Sequence, residues 1–328
     1  MTLPDSTFQL EGISPRAFQH PADRAATAAL KQVPYLDAVV RKLIELGYER
    51  AMRQAMLGSA VRLGQEQLPR IWVLEREVFH VLDLDDVPDL YLTQFPVANA
   101  LTFGSGRPVI LLNSELARLL DTDGLRVVIA HEAAHVLSEH VTYMTALVIL
   151  VQLGASVRLP IFAGLPLLAI RTALLEWARG AELSCDRAAA LVTRDPMAVC
   201  RTLMPIAGGE AVDELNLDAF MKQGLDYDEK GSGFERLTRL LMHLNITHPM
   251  PVRRTHELLG WVRSGDYDRI KDGSYVRRGQ EAPLRDEASA AQEHYANRVR
   301  DAFKDVGGSL NDVGEQLADW LAKQQKRQ

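Results

Sequence analysis

The chain has 328 residues, a length that accommodates one large domain or two modest ones. Hydrophobic residues make up 47% and charged residues 24% of the sequence, a balance that excludes the disordered and fibrous classes. The formal net charge is -6 at pH 7 and basic residues do not interleave with aromatic ones, so the sequence predicts no nucleic-acid partner.

The start of the chain and the cysteine count bear on the cellular compartment. Residues 1–12 lack the basic and apolar regions of a secretory signal, and the sequence has only two cysteines, Cys185 and Cys200. We therefore expect a cytoplasmic protein that has no disulfide framework.

Residues 1–34 are polar and contain four prolines. This composition predicts an irregular lead-in with at most one short helix, around residues 24–31. Beyond the lead-in, apolar residues repeat at helical spacing over residues 36–44 and again over residues 68–82. Each of these two segments is predicted to form an amphipathic helix.

Three short segments predict a small sheet. Residues 89–95 and 108–112 are rich in apolar and aromatic side chains, and residues 99–103 lie between them, just before a glycine-rich turn. A long helix is predicted next, with Asp121 or Thr122 as the N-cap, because a short oxygen-bearing side chain satisfies the N–H groups of the first turn.

Further helices are predicted downstream. One covers residues 173–193, and others follow to about residue 263, with glycine-containing breaks at 208–209 and 231–233. An amphipathic pattern returns over residues 284–328 and predicts C-terminal helices.

The order of these elements predicts an α+β fold that is mainly helical. We divide the chain into the lead-in at 1–34, a main domain at 35–283 and the C-terminal amphipathic helices at 284–328.

His131, Glu132 and His135 form the pattern H-E-x-x-H inside the long predicted helix. Histidines four residues apart lie about 40° apart around a helix and one turn apart along it, so both imidazoles reach one ion. Zinc suits this pattern, because a catalytic zinc needs three protein ligands and an open position for water. Glu132, about 100° from His131, is placed to act on that water as a general base. The pattern predicts one Zn²⁺ per chain.

The third ligand must come from elsewhere in the chain. A metzincin continuation would need glycine at position 138 and histidine at position 141, where Ser138 and Val141 stand. His140 lies about 180° around the helix from His131 and cannot join the same ion unless the helix breaks. We therefore interpret His140 as a structural residue.

Glu182 is the better candidate for the third ligand. Glu182 and Asp186 are four residues apart and share one helix face. A carboxylate ligand, with a second carboxylate that orients a ligating histidine, is a common arrangement around zinc, so Asp186 is predicted to orient His131. Glu176 is a weaker competitor. Cys185 is chemically able to bind zinc, but we favour a small buried thiol.

Taken together, these motifs resemble the HtpX and CAAX prenyl protease type of gluzincin, metallopeptidase family forty-eight. The resemblance covers roughly residues 20–280 and rests on the H-E-x-x-H pattern, on Glu182-x-x-x-Asp186, and on residues 247–251 with Arg254. The chain departs from the family pattern at Ala134, where the family usually has glycine. The resemblance implies a zincin-like fold with the small sheet beside the H-E-x-x-H helix.

The resemblance also implies roles that the residues alone do not give. Asn99, Ala100 and Leu101 are similar to the edge strand that gluzincins pair with substrate. His248 is implied to lie near the metal, as a switch or a substrate-binding residue, and Arg254 is implied to support the transition state.

We predict a zinc-dependent metalloendopeptidase that hydrolyses protein or peptide substrates with Glu132 as general base. The alternative is a zinc-bound scaffold, or a chaperone-like protein, that binds clients without cleaving them. The intact Glu132 favours the enzyme, because a scaffold has no need of a general base.

For two apolar segments, the sequence does not determine what they pack against. Residues 141–157 form a charge-free run of 17 residues, whereas a membrane span needs about 20. A buried or surface-docked helical hairpin over residues 141–170 and contact with a membrane are the two alternatives. The stripe at 284–328 is expected to pack on the protein's own body, with self-association or covering of the active-site cleft as alternatives.

Overall fold

The computed structural model describes residues 8–32, 49–104, 106–156, 161–209, 214–229 and 250–281. A 3₁₀ turn at Pro15–Ala17 opens this part of the chain. The helices and strands that follow are, in order, α1 (Pro21–Gln32), α2 (Glu49–Ser59), β1 (Val61–Arg62), α3 (Pro69–Val81), β2 (Asp89–Thr93), β3 (Ala100–Phe103), β4 (Val109–Asn113), α4 (Ser114–Leu119), α5 (Thr122–Leu137), α6 (Val141–Ser156), α7 (Ile161–Thr193), α8 (Pro196–Gly208), α9 (Leu217–Glu229), α10 (Pro251–Arg263) and α11 (Asp266–Lys271). The predicted α+β, mainly helical fold is confirmed.

The described sheet has four strands in the order β1-β2-β4-β3. β2 and β4 pair in parallel, whereas β1 with β2 and β3 with β4 pair antiparallel. The three predicted strands are confirmed, and the two-residue β1 was not predicted. β3 is an edge strand and packs against α5, so the sheet lies beside the H-E-x-x-H helix as expected for a zincin-like fold.

α5 is the central helix and is buried along most of its length. It begins at Asp121, whose side chain accepts a hydrogen bond from the Gly124 N–H at 2.8 Å and so satisfies one N–H group of the first turn. It ends at Leu137, shortly before Glu139, whose backbone takes a left-handed conformation with φ of 57°. Ala134, at the position where the family usually has glycine, is fully buried, so its methyl group fits the core.

α7 is 33 residues long and packs along α5. It begins at Ile161, twelve residues before the predicted start at 173, because the apolar run ahead of residue 173 continues into the same helix. Among the described residues, no helix combines the length and the apolar character that crossing a bilayer requires. Contact of residues 141–170 with a membrane stays a prediction.

Residues 8–32 pack on the main body. Leu10, Ile13 and Phe18 belong to the same hydrophobic core as α5, and α1 lies against α7. α1 covers Pro21–Gln32 and is longer than the short helix predicted around residues 24–31. The domain boundaries that we drew at residues 34 and 283 stay predictions.

Other predicted features meet different outcomes. The predicted helix at 68–82 is confirmed as α3, and the break at 208–209 is confirmed, because Gly209 takes a φ of 76° after α8. α2 was not predicted. The predicted helix at 36–44, the break at 231–233 and the C-terminal helices at 284–328 lie outside the described residues.

Candidate metal centre

Two helices bring three donor side chains to one point. His131 and His135 project from α5, and Glu182 from α7, with each side chain at least nine-tenths buried. One oxygen of Glu182 lies 3.3 Å from Nε2 of His131, and the other lies 3.3 Å from Nε2 of His135. Tetrahedral zinc with bonds of about 2.0–2.1 Å separates its ligand atoms by roughly 3.4 Å. The two separations between Glu182 and the histidines match this value, and the three side chains have the chemistry of a zinc ligand set.

A buried ion-pair network lies behind these donors. Asp186, one turn after Glu182, has one carboxylate oxygen 3.0 Å from Nδ1 of His131. Arg254 donates to both oxygens of Asp186, from Nε at 2.7 Å and from Nη2 at 2.6 Å, and its Nη1 lies 3.3 Å from Glu182. Asp186 thus accepts from His131 and leaves Nε2 of that ring toward Glu182, as expected for a residue that orients a metal ligand.

The two histidines have opposite pKa shifts. Burial by itself disfavours the charged ring of His131, but Glu182 and the hydrogen bond to Asp186 outweigh it and raise the pKa of His131 to about 9. Burial lowers the pKa of His135, although Glu182 opposes that shift. Burial also opposes ionisation of Asp186, but Arg254 outweighs it and holds the pKa of Asp186 below its usual value. Glu182 and Asp186 therefore account for the raised pKa of His131, and Arg254 accounts for the lowered pKa of Asp186.

Glu132 follows His131 on α5 and is almost fully buried. Thr102 of β3 donates a hydrogen bond from its hydroxyl to Oε2 of Glu132 at 2.6 Å. This contact joins the edge strand to the candidate general base and fixes the orientation of its carboxylate. Sequence reasoning did not single out Thr102, because nothing in the local pattern of a strand reports a contact with a helix 30 residues later.

Comparison with known proteins decides the family. Residues 73–262, more than half of the chain, match peptidase family M48. The chain belongs to this family. It is similar to the plastoglobule-localized metallopeptidase 48, chloroplastic, of Arabidopsis thaliana, with 36% identity over 255 residues that cover 76% of this chain and 73% of the relative. No solved structure matches. As an M48 member, the chain is a metal-dependent peptidase that acts on protein or peptide substrates.

A second set of potential metal donors overlaps the first in the candidate metal centre. Atoms of His131, His135 and Cys185 lie within 4.8 Å of one another. The Cys185 sulfur, however, is 3.8 Å from Nδ1 of His140, which in turn faces Nδ1 of His135, away from the Nε2 atoms that meet Glu182. Burial raises the pKa of the Cys185 thiol well above its usual value and opposes the thiolate that a metal binds. Glu182 stays the predicted third donor.

His140 lies beside His135 of the candidate metal centre. The 180° separation from His131 assumed a continuous helix, but α5 ends at Leu137 and the left-handed Glu139 turns the chain back. The ring of His140 consequently packs edge-on to the ring of His135, with centroids 5.3 Å apart. His140 is almost fully buried. Its contact with His135 was not predicted, because the sequence analysis assumed one continuous helix through residue 140.

The remaining predicted site residues fall into three sets. Ala100 and Leu101 lie on β3, and Asn99 directly precedes that strand. Arg254 is buried on α10, and all of its described partners belong to the carboxylate and histidine network. His248 lies outside the described residues, as does the side chain of Glu176, so their predicted roles stay predictions.

Proposed function

We propose that this M48 peptidase is a zinc metalloendopeptidase in which His131, His135 and Glu182 hold one Zn²⁺ and Glu132 is the general base. The supporting observation is the pair of 3.3 Å separations between the Glu182 oxygens and the two Nε2 atoms. Two imidazole nitrogens and one carboxylate oxygen are the ligand set of catalytic zinc in many hydrolases, and they leave a fourth position for water.

Glu132 has the surroundings that a general base requires. A zinc ion at this site would lower the pKa of a water molecule toward about 7 and polarise the scissile carbonyl. Glu132 would accept a proton from the attacking water as the water oxygen bonds to the scissile carbonyl carbon, and would deliver that proton to the leaving amine as the C–N bond breaks. Thr102 donates to Oε2 of Glu132 and keeps the carboxylate in one orientation during both transfers.

The carboxylates of Glu182 and Asp186 need a nearby cation to remain buried. Arg254 provides it, with contacts to Asp186 at 2.6 Å and to Glu182 at 3.3 Å. Two buried carboxylates with no positive partner would repel each other and lose hydration, which costs several kcal/mol per ion. We therefore assign Arg254 a role in holding these carboxylates, in addition to the predicted support of the transition state.

An extended peptide is the substrate form that suits this site. β3 is one of the two edge strands of the described sheet, and its Thr102 hydroxyl donates a hydrogen bond to the proposed general base. A peptide that pairs with Asn99, Ala100 and Leu101 in the manner of an added strand would run past Glu132, and its main-chain hydrogen bonds are independent of side-chain identity. We propose broad recognition of extended or unfolded segments.

The test compares the unaltered chain with Glu132→Gln. We expect both proteins to bind about one zinc per chain. Glu132→Gln should lose hydrolysis of an unfolded protein such as casein by roughly 10²-fold or more, because the amide cannot accept the proton. Glu139→Gln is the matched control: Glu139 is exposed just beyond the same helix, and this variant should keep full activity.

Three outcomes would contradict the proposal. Full activity in Glu132→Gln would refute the general base. An unaltered chain that binds no zinc would refute the ligand set. Zinc binding without hydrolysis of casein by the unaltered chain would contradict the peptidase assignment and favour the non-cleaving scaffold.

The cellular location is a separate proposal. We propose a cytoplasmic protein, with association to a membrane surface through residues 141–170 as the alternative. Fractionation of cells into soluble and membrane pools, with a high-salt wash of the membranes, measures the distribution directly.

A further inference from the structure

A buried chain of polar groups leads from the N-terminal helix α1 to the metal centre. Asp23 of α1 is fully buried, and its Oδ2 lies 3.2 Å from Nε2 of His140. The other ring nitrogen of His140, Nδ1, lies 3.3 Å from Nδ1 of His135. The chain therefore runs from Asp23 through His140 to the back of a proposed metal ligand.

Asp23 is held in place as a hydrogen-bond acceptor. Ser184 donates to Oδ2 of Asp23 at 2.6 Å, and Thr27 donates to Oδ1 at 3.0 Å. Both carboxylate oxygens of Asp23 thus accept a hydroxyl hydrogen bond. A carboxylate accepts hydrogen bonds, and Oδ2 of Asp23 lies 3.2 Å from Nε2 of His140, so we assign the ring proton of His140 to that nitrogen.

That proton determines the state of the two facing nitrogens. Two ring nitrogens 3.3 Å apart share one proton, since two N–H groups would repel and two lone pairs would form no bond. The tautomer of His140 with its proton on Nε2 offers a lone pair at Nδ1. His135 must then carry its own proton at Nδ1, which leaves its Nε2 lone pair toward Glu182.

We propose that Asp23 and His140 are positioning residues of the metal centre, which fix the tautomer and ring orientation of His135 so that its Nε2 binds the metal. The inference rests on the proposed function, because it takes His135 as a ligand. On the other ligand, Asp186 does the same work directly, by accepting from Nδ1 of His131. The two ligating histidines are thus oriented by different elements, one by α7 and the other by α1 through His140.

The packing of α1 on α7 is specific at this place. A Cβ atom at Gly180 would lie 2.6 Å from the backbone nitrogen of Asp23, so only glycine allows this approach. Trp177 donates from its ring N–H to Thr27 at 2.8 Å, and Ser184 accepts from the backbone N–H of His20 at 2.9 Å. Contacts at residues 177, 180 and 184 of one helix face thus lock Asp23 in position behind His140.

One competing contact involves Cys185. Its sulfur lies 3.8 Å from Nδ1 of His140, farther than the 3.3 Å to Nδ1 of His135. A thiol is also a weak donor compared with an imidazole N–H. We therefore take His135 as the principal donor to His140, and Cys185→Ala should leave metal binding nearly unchanged.

The experiment measures zinc affinity by competition with a chelator in the full-length chain, together with the visible spectrum of the cobalt-substituted protein. His140→Phe keeps a ring and removes both nitrogens, and we expect zinc affinity to fall roughly 10- to 100-fold. His140→Asn places an amide oxygen near the position of Nδ1 and should recover part of that loss. Asp23→Asn should weaken binding and alter the cobalt spectrum, since an amide does not dictate which nitrogen of His140 is protonated.

Thr202→Val is the matched control. It removes a buried hydroxyl that donates to the backbone oxygen of Ala198 at 2.8 Å on α8, outside the network of Asp23 and His140. We expect unchanged zinc affinity. If His140→Phe is recovered unfolded, Asp23→Asn and His140→Asn carry the test.

Zinc affinity of Asp23→Asn equal to that of the unaltered chain, with an unchanged cobalt spectrum, would overturn the proposal. So would equal affinities of His140→Phe and His140→Asn, because then the acceptor at residue 140 would be irrelevant. An unaltered chain that binds no zinc would instead be a failure of the proposed function, and the two failures are thus distinguishable.

Discussion

The buried carboxylate of Asp186 accepts three hydrogen bonds. His131 donates to one oxygen, and Arg254 donates to both. Charge-assisted bonds of this kind are roughly twice as strong as neutral ones, and a paired buried carboxylate becomes costly when one partner is lost. The orientation of His131 therefore depends on the charge of Asp186 as well as on its shape.

Asp186→Asn should weaken zinc binding by roughly 10- to 100-fold, because one end of the amide would point a donor at groups that are themselves donors. Competition with a chelator measures the loss. Asp195→Asn is the control: Asp195 also pairs with an arginine, Arg201, but at the exposed start of α8, where asparagine caps a helix equally well. Equal zinc affinities of Asp186→Asn and the unaltered chain would contradict the orienting role.

Local spacing explains why part of the site is predictable from sequence. The pairs His131 with His135 and Glu182 with Asp186 each lie four residues apart, and helix geometry alone puts each pair on one face. Asp23, Thr102 and His140 reach the site only through the packing of separate elements, or through a helix end. No residue spacing encodes those contacts. The sequence did not single out Asp23 or Thr102, and it gave His140 a structural role only.

At the scale of elements, the approach of α1 to α7 depends on the absence of a side chain at residue 180. A Cβ atom there would lie 2.6 Å from the nitrogen and 2.9 Å from the Cα of Asp23, both of which are backbone atoms that cannot rotate away. The two helices would have to separate. The same periodicity that predicted a helix at 173–193 does not report this close approach.

Gly180→Ala should consequently reduce the free energy of unfolding by about 1–3 kcal/mol, the usual effect of overpacking. Urea denaturation measures the change. Gly260→Ala provides the control, because Gly260 also lies inside a helix, α10, but a Cβ atom there meets nothing within 4 Å. That variant should be neutral or more stable by up to about 1 kcal/mol. A Gly180→Ala protein as stable as the unaltered chain would show that α1 shifts without penalty.

The elements themselves were predictable in proportion to their periodicity. α3 and α5 both carry a long apolar pattern, α5 also follows a capping residue, and both were found close to their observed bounds. α2 is polar and carries no buried residue, so it lacks the apolar stripe by which a helix is recognised. β1 has two exposed residues and depends on its pairing with β2, which only the tertiary structure provides.

At the scale of the whole molecule, the candidate metal centre is a cross-link between α5 and α7, the two helices that also form much of the core. Its ligands are separated by about 50 residues in sequence, as 131 and 135 against 182. An ion bound there stabilises only the folded chain, because the unfolded chain does not bring these side chains together. Metal binding and global stability should therefore be coupled.

Removal of zinc should lower the melting temperature. At a free zinc concentration 1,000 times the dissociation constant, binding adds about 4 kcal/mol to the free energy of unfolding. For a chain of 328 residues, an unfolding entropy of about 2.1 cal/mol/K per residue makes each kcal/mol correspond to roughly 1.5 °C, so we expect a difference of about 6 °C between zinc-loaded and chelator-treated protein in thermal denaturation. His135→Ala lacks one ligand and should melt at nearly the same temperature in both conditions. If zinc raised the melting temperature of His135→Ala as much as that of the unaltered chain, the stabilising ion would bind elsewhere. That result would contradict the coupling between the proposed centre and global stability.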